Sequence, residues 1–156
     1  MVKAVAIPEK TIWQILETVC DPEVPVLSIL DLGIVRKINI AEDGGIEVII
    51  TPTYTGCPAM DMIAMNIRLA LIENGFTKIK ITSVLSPAWT TDWMSETGKQ
   101  KLKEYGIAPP NKSASINCPQ CHSSNIKIIS EFGSTACKAL YQCQDCKEPF
   151  DYFKCH

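Results

Sequence analysis

The chain has 156 residues, 46% hydrophobic and 21% charged, with a formal net charge of −2. That composition supplies a real core and excludes a disordered chain. The near-neutral charge excludes bulk attraction to nucleic acid or to an anionic membrane, and the length fits one compact domain with an appendage or two modest ones.

Pro8 reads as the first residue of a helix, where its missing N–H is no loss. Ile12, Ile15, Leu16, Val19 and Cys20 follow as one apolar stripe, and Asp21-Pro22 ends the helix. Val24 to Gly33 is apolar but broken by Pro25, Asp31 and Gly33, and reads as a packed loop. Ile34–Ile40 and Gly45–Thr51 read as strands joined by the tight-turn residues Glu42-Asp43-Gly44-Gly45.

Thr51 to Pro58 is a loop that feeds a second helix, Pro58 to Asn74, closed by Gly75. Its apolar residues cover most of the circumference, which predicts burial on more than one side, by the sheet and by a second copy of the chain in a homodimer. Lys78–Leu85 is a third strand, so the second helix is a βαβ crossover. Thr91–Tyr105 reads as a third helix and Gly106–Asn117, with Pro109-Pro110, as a linker. The expected fold class is α/β (α+β): a two-layer αββαβα sandwich over 1–106, a linker over 107–117 and a small ribbon over 118–156.

No apolar run approaches the ~20 residues that span a bilayer. Met1 to Lys10 contain Lys3, Pro8 and Glu9 instead of the apolar core of a signal peptide. The expectation is a cytoplasmic protein without membrane or nucleic-acid partners. In that compartment the eight cysteines stay reduced, and clustered ones bind metal in preference to forming disulfides.

Cys118-Pro119-Gln120-Cys121 and Cys143-Gln144-Asp145-Cys146 are two Cys-x-x-Cys knuckles separated by 21 residues. Each turns two thiolates toward one centre, and together they complete a tetrahedron of sulfurs around a structural zinc. The strands Ile126–Phe132 and Ala139–Gln142 supply the hairpin between them. A four-cysteine iron site would use the same ligands, and zinc is the commoner case. A redox dithiol is the competing reading, but such a motif opens a helix in a thioredoxin-like unit and neither knuckle does. Cys137 and Cys155 are packing residues on this reading, and His122 and His156 are exposed competitors for the metal.

Cys57 precedes Pro58 and so sits beside the unpaired N–H groups and positive end of the second helix, where a thiolate is stabilised. It is either a ligand or nucleophile, or a small cap. The chain's two histidines are both in the ribbon, which argues against cysteine-protease or acyl-transfer chemistry. Asp21, Glu23 and Asp31 either form an acidic rim or cap turns. Trp89, Asp92 and Trp93 form either an aromatic lid on the core or a binding surface.

Asp21-Pro22-Glu23-Val24-Pro25, Asp31-Leu32-Gly33-Ile34-Val35 and Thr51…Gly56-Cys57-Pro58 resemble the small iron–sulfur assembly domain family. The segments Pro87-Ala88-Trp89-Thr90-Thr91-Asp92-Trp93, Tyr105–Pro110, Phe132–Ala139 and Glu148–Cys155 are similar to the D-subunit family of the bacterial phenylacetyl-CoA epoxidase system. The resemblance covers nearly the whole chain and implies an accessory protein in phenylacetate catabolism, not an enzyme. It makes Cys57 the expected functional residue, a transient site for iron or an iron–sulfur cluster. Its expected clients are the system's reductase or oxygenase; the alternative is a non-catalytic docking subunit of that oxygenase. The sequence has no Glu-x-x-His pair for a di-iron bundle and no Gly-rich phosphate loop. From Lys112 onward five Lys face four Asp or Glu, with no basic stripe for nucleic acid.

Overall fold

The computed structural model describes residues 7–53, 58–111 and 115–154. Two compact units emerge, Met1–Trp93 and Met94–His156.

In the first unit, Pro8 caps helix α1 (Glu9–Glu17) from an extended backbone, and Ile12, Ile15 and Leu16 form its buried stripe. The Thr18 hydroxyl donates to the Ile15 carbonyl at 2.7 Å and helps end the helix before Asp21. The following loop is packed, as its apolar content predicts, with Val24, Leu27, Ile29, Leu32 and Ile34 all buried. Strands β1 (Val35–Ile40) and β2 (Ile46–Ile50) pair antiparallel, with a bulge between Val35 and Lys37. Gly44 takes the positive φ of the turn, 83°.

Helix α2 (Ala59–Glu73) crosses over to β3 (Ile79–Ser83), which pairs parallel to β2 and completes the sheet order β1-β2-β3. α2 packs against α1 and β3. Ile46, Val48 and Ile50 fill one side of β2, and Ile63, Ile67 and Leu71 one side of α2, each side chain contributing about 1.5–3 kcal/mol by leaving water. The expectation that α2 is covered on a second side is not met within the chain. Met62, Met65, Leu69 and Ile72 recur at i, i+3, i+7 and i+10, and all are exposed.

In the second unit, the third helix is shorter than Thr91–Tyr105. Thr91–Trp93 is one 3-10 turn in the first unit, and α3 spans Glu96–Glu104. Ser95 restarts the helix, its hydroxyl accepting the Gly98 N–H at 2.9 Å. Gly106, at φ 86°, then turns the chain directly into β4 (Ile107–Ala108), which the sequence placed in a linker. This continuity groups α3 with the C-terminal unit, whereas the sequence closed the first domain at 106.

Strands β5 (Ile126–Ser130), β6 (Lys138–Cys143) and β7 (Pro149–Phe153) enlarge the expected hairpin into a four-stranded sheet of order β4-β7-β6-β5. β4 pairs parallel with β7, and the other pairs are antiparallel. Its small core consists of buried Ala108, Cys118, Ala139, Cys143, Phe150 and Tyr152, flanked by Ile116, Ile126 and Tyr141. Tyr141 stacks on Phe150 and meets Tyr152 edge-on, both with centroids 5.9 Å apart.

Candidate functional site

The two knuckles converge in the C-terminal unit. The sulfurs of Cys118 and Cys146 lie 3.7 Å apart, those of Cys121 and Cys143 lie 3.5 Å apart, and all four fall within 4.8 Å of one another. Zinc–sulfur bonds near 2.3 Å imply a tetrahedron with edges of about 3.8 Å, so the donor set fits a four-coordinate zinc.

Each knuckle is closed by a residue in the left-handed region, His122 after Cys121 at φ 63° and Lys147 after Cys146 at φ 69°. The Cys118 N–H reaches the Ser123 carbonyl at 2.9 Å, the His122 N–H reaches the Cys118 carbonyl at 2.9 Å, and the Gln120 N–H donates to the Cys118 sulfur at 3.4 Å. Such N–H groups favour thiolate over thiol. At Cys143 the Cys146 N–H, opposed by desolvation and aided by the Asp145 N–H, lowers the thiol to about 7.

Asp145 staples one knuckle to the other. It accepts from the Ser123 hydroxyl and from Asn125 Nδ2, the latter at 3.0 Å, and these bonds hold its carboxyl below the usual range. A group that orients metal ligands in this way is worth 10–100-fold in metal affinity. Asp145→Ala should therefore bind zinc about 10-fold more weakly or worse in competition with a chelator, while keeping the sheet when zinc is saturating. Unchanged affinity would make the staple incidental.

Cys137 is buried outside this cluster, its sulfur 2.9 Å from the Thr135 hydroxyl. Cys155 and His156 lie outside the described residues, as does Cys57. The helix beside Cys57 is described: Pro58 is the N-cap of α2, with no side-chain cap hydrogen bond, and Asp61 lies in the first turn.

The acidic residues of the first loop serve as turn caps. Asp21 Oδ1 accepts the N–H groups of Glu23 and Val24 at 2.6 and 3.2 Å. Ser28 and Asp31 cap each other reciprocally: Asp31 Oδ2 accepts the Ser28 N–H at 3.1 Å, and Ser28 Oγ accepts the Asp31 N–H at 3.0 Å. Trp89 is a lid on the core, buried, with Nε1 donating to the Leu32 carbonyl at 2.8 Å. Trp93 is half-buried beneath Arg36, whose guanidinium carbon lies 3.6 Å from the ring centroid. Arg36 also donates to the Gly33 carbonyl at 3.1 Å. Asp92 is exposed.

Comparison with known proteins follows the two units. Residues 9–81 match the model of the iron–sulfur cluster assembly protein family, and residues 103–154 match the PaaD zinc beta ribbon domain. A protein of Escherichia coli (strain K12), described as the D subunit of a "Putative 1,2-phenylacetyl-CoA epoxidase", is 49% identical over 151 residues, 92% of this chain and 91% of its own length. The chain belongs to this D-subunit family.

The D-subunit family thus joins an iron–sulfur assembly domain to a zinc ribbon in one polypeptide. The first part alone is similar to shorter proteins. A "Fe-S protein maturation auxiliary factor" of Porphyromonas gingivalis (strain ATCC BAA-308 / W83) is 36% identical over 60% of this chain and 90% of its own length. The crystal structure of a DUF59 domain from Bacillus anthracis superposes with a TM-score of 0.57 at 29% identity, covering 60% of this chain and 90% of that one.

Proposed function

We propose that this chain is an accessory maturation protein of a phenylacetyl-CoA epoxidase system, one that assists iron or iron–sulfur cluster insertion into the reductase or the oxygenase. The observation that carries the reading is the union of an assembly domain and a four-cysteine ribbon, along nearly the full length of a relative described as belonging to that system. Relatives of the first part described as maturation auxiliary factors support an accessory role over catalysis. Among the described residues no helix is long and apolar enough to cross a membrane. The reduced thiols that the chemistry needs suit the cytoplasm.

In this reading Cys118, Cys121, Cys143 and Cys146 hold one structural zinc, which closes the ribbon and leaves no open position for catalysis. Cys57 handles the cargo. One thiolate is fewer than the four ligands that clusters usually take, so the cargo site is transient and completed by a client, a second copy or a small thiol.

Cys57→Ser should leave fold and zinc content unchanged in the purified chain. In cells growing on phenylacetate it should slow growth several-fold, with client polypeptides present at normal amounts but short of iron or cluster. Normal growth with fully metallated reductase and oxygenase would reduce Cys57 to a helix cap and overturn the proposal.

A further inference from the structure

Thr51 stands immediately after β2 and is 1% exposed. Its N–H is satisfied by the Ile34 carbonyl at 2.8 Å. Its hydroxyl has no hydrogen-bond partner, and among the described residues it is the one buried side-chain oxygen or nitrogen in that condition. A buried polar group left unpaired weakens a fold, and valine would fill the same volume without that penalty.

The position of Thr51 suggests what the hydroxyl is for. The parallel β2–β3 pair ends with Ile50 opposite Ser83, and Thr51 follows at that carboxyl end. The crossover helix α2 starts from the same end, with no side-chain cap on its first turn over a length of 15 residues. In open α/β sheets ligands sit at the carboxyl ends of parallel strands, and helix starts favour negative charge. Six residues after Thr51 in the sequence comes Cys57, next to the Pro58 cap. An unpaired buried hydroxyl, an uncapped helix start and a thiol thus fall on one short connection between β2 and α2.

We propose that Thr51 is a positioning residue for the cargo site, its hydroxyl donating a hydrogen bond to an anionic sulfur, thiolate or sulfide, of the iron centre assembled at Cys57. The inference rests on the reading of Cys57 given above. The empty site leaves the hydroxyl unpaired, and the loaded site satisfies it. Thr51 donates a hydrogen bond and is not an iron ligand.

The test is anaerobic loading of the full-length, zinc-saturated chain with ferrous iron, inorganic sulfide and a small thiol, read as iron and sulfide per chain and as visible absorbance. Thermal stability is measured separately without iron. Thr51→Val should match or exceed the parent in iron-free stability, yet retain several-fold less iron and sulfide against a chelator. Thr51→Ser should restore retention. The inference is overturned if Thr51→Val loads like the parent. It is also overturned if Thr51→Val loses iron-free stability while loading normally, since a buried water would then be the hydroxyl's partner. Cys57→Ser separates the two levels. If it fails to load while Thr51→Val loads, only the role of Thr51 falls. If it loads like the parent, or the parent itself takes up no iron, the reading of Cys57 falls and this inference with it.

Discussion

Cys143→Ser should strip the C-terminal unit of zinc and of its tertiary order together. Cys143 is fully buried within the ribbon core, and its sulfur is 3.5 Å from that of Cys121. It ends β6, and its N–H reaches the Glu148 carbonyl at 3.0 Å, closing the second knuckle. It is therefore ligand and core residue at once. The six buried residues of that core are few for a self-sufficient domain. A structural zinc contributes an apparent binding energy of about 10–16 kcal/mol at neutral pH, most of which is folding free energy here. Serine is a poor substitute for a thiolate, and three ligands do not hold a closed site. Metal analysis should fall from about one zinc per chain to near none, and amide exchange across β5, β6 and β7 should become fast. The first unit supplies none of the four sulfurs, and its protected amides should survive. A variant that keeps a full complement of zinc would show that another residue takes the fourth position.

Gly33→Ala should be the most damaging single methyl in the first unit. Gly33 has φ 72°, and a Cβ built there would lie 2.2 Å from the Trp93 carbonyl oxygen and 2.8 Å from its carbon. Backbone cannot swing aside as a side-chain tip can. Trp93 is moreover held by the Arg36 guanidinium on its ring, while Arg36 itself is tied to the Gly33 carbonyl. Left-handed strain costs about 1–2 kcal/mol, and forced overpacking adds on the order of 1–3 kcal/mol. A loss near 3 kcal/mol corresponds to a drop of roughly 15 °C in the melting of a unit this size. Gly75→Ala separates the two contributions, because Gly75 has φ 91° with nothing within 4 Å. It should lose only the conformational part, about 1–2 kcal/mol. Calorimetry that finds the two variants equal would remove the clash with Trp93 from the account.

What the sequence made legible was local. The stripe of α1, the alternation of β2, the Gly44 turn and the long apolar α2 each follow from residues within one element. The four sulfurs were legible because a knuckle is itself local and its spacing is chemically restrictive. What escaped depends on partners distant in the chain. β4 is two residues long and exists through its pairing with β7, more than forty positions later. The need for glycine at 33 is set by the Trp93 backbone, and Asp145 finds Ser123 and Asn125 across the ribbon. The left-handed turns at His122 and Lys147 gave no signal, since neither residue is glycine or asparagine. The orphaned Thr51 hydroxyl is a property of burial, which no single position announces.

The four sulfurs are unequally placed, and this inequality bears on how the metal comes and goes. Cys118 and Cys143 are sunk in the core, whereas Cys121 is exposed. The inner pair grips the ion from below, and the outer flank meets water. Exchange of the ion is thus a one-sided peeling that starts when an incoming thiol takes the place of Cys121. A centre built this way combines tight equilibrium binding with an open route for traffic: it can hold its ion for the lifetime of the protein and still surrender it, one bond at a time, to a stronger acceptor.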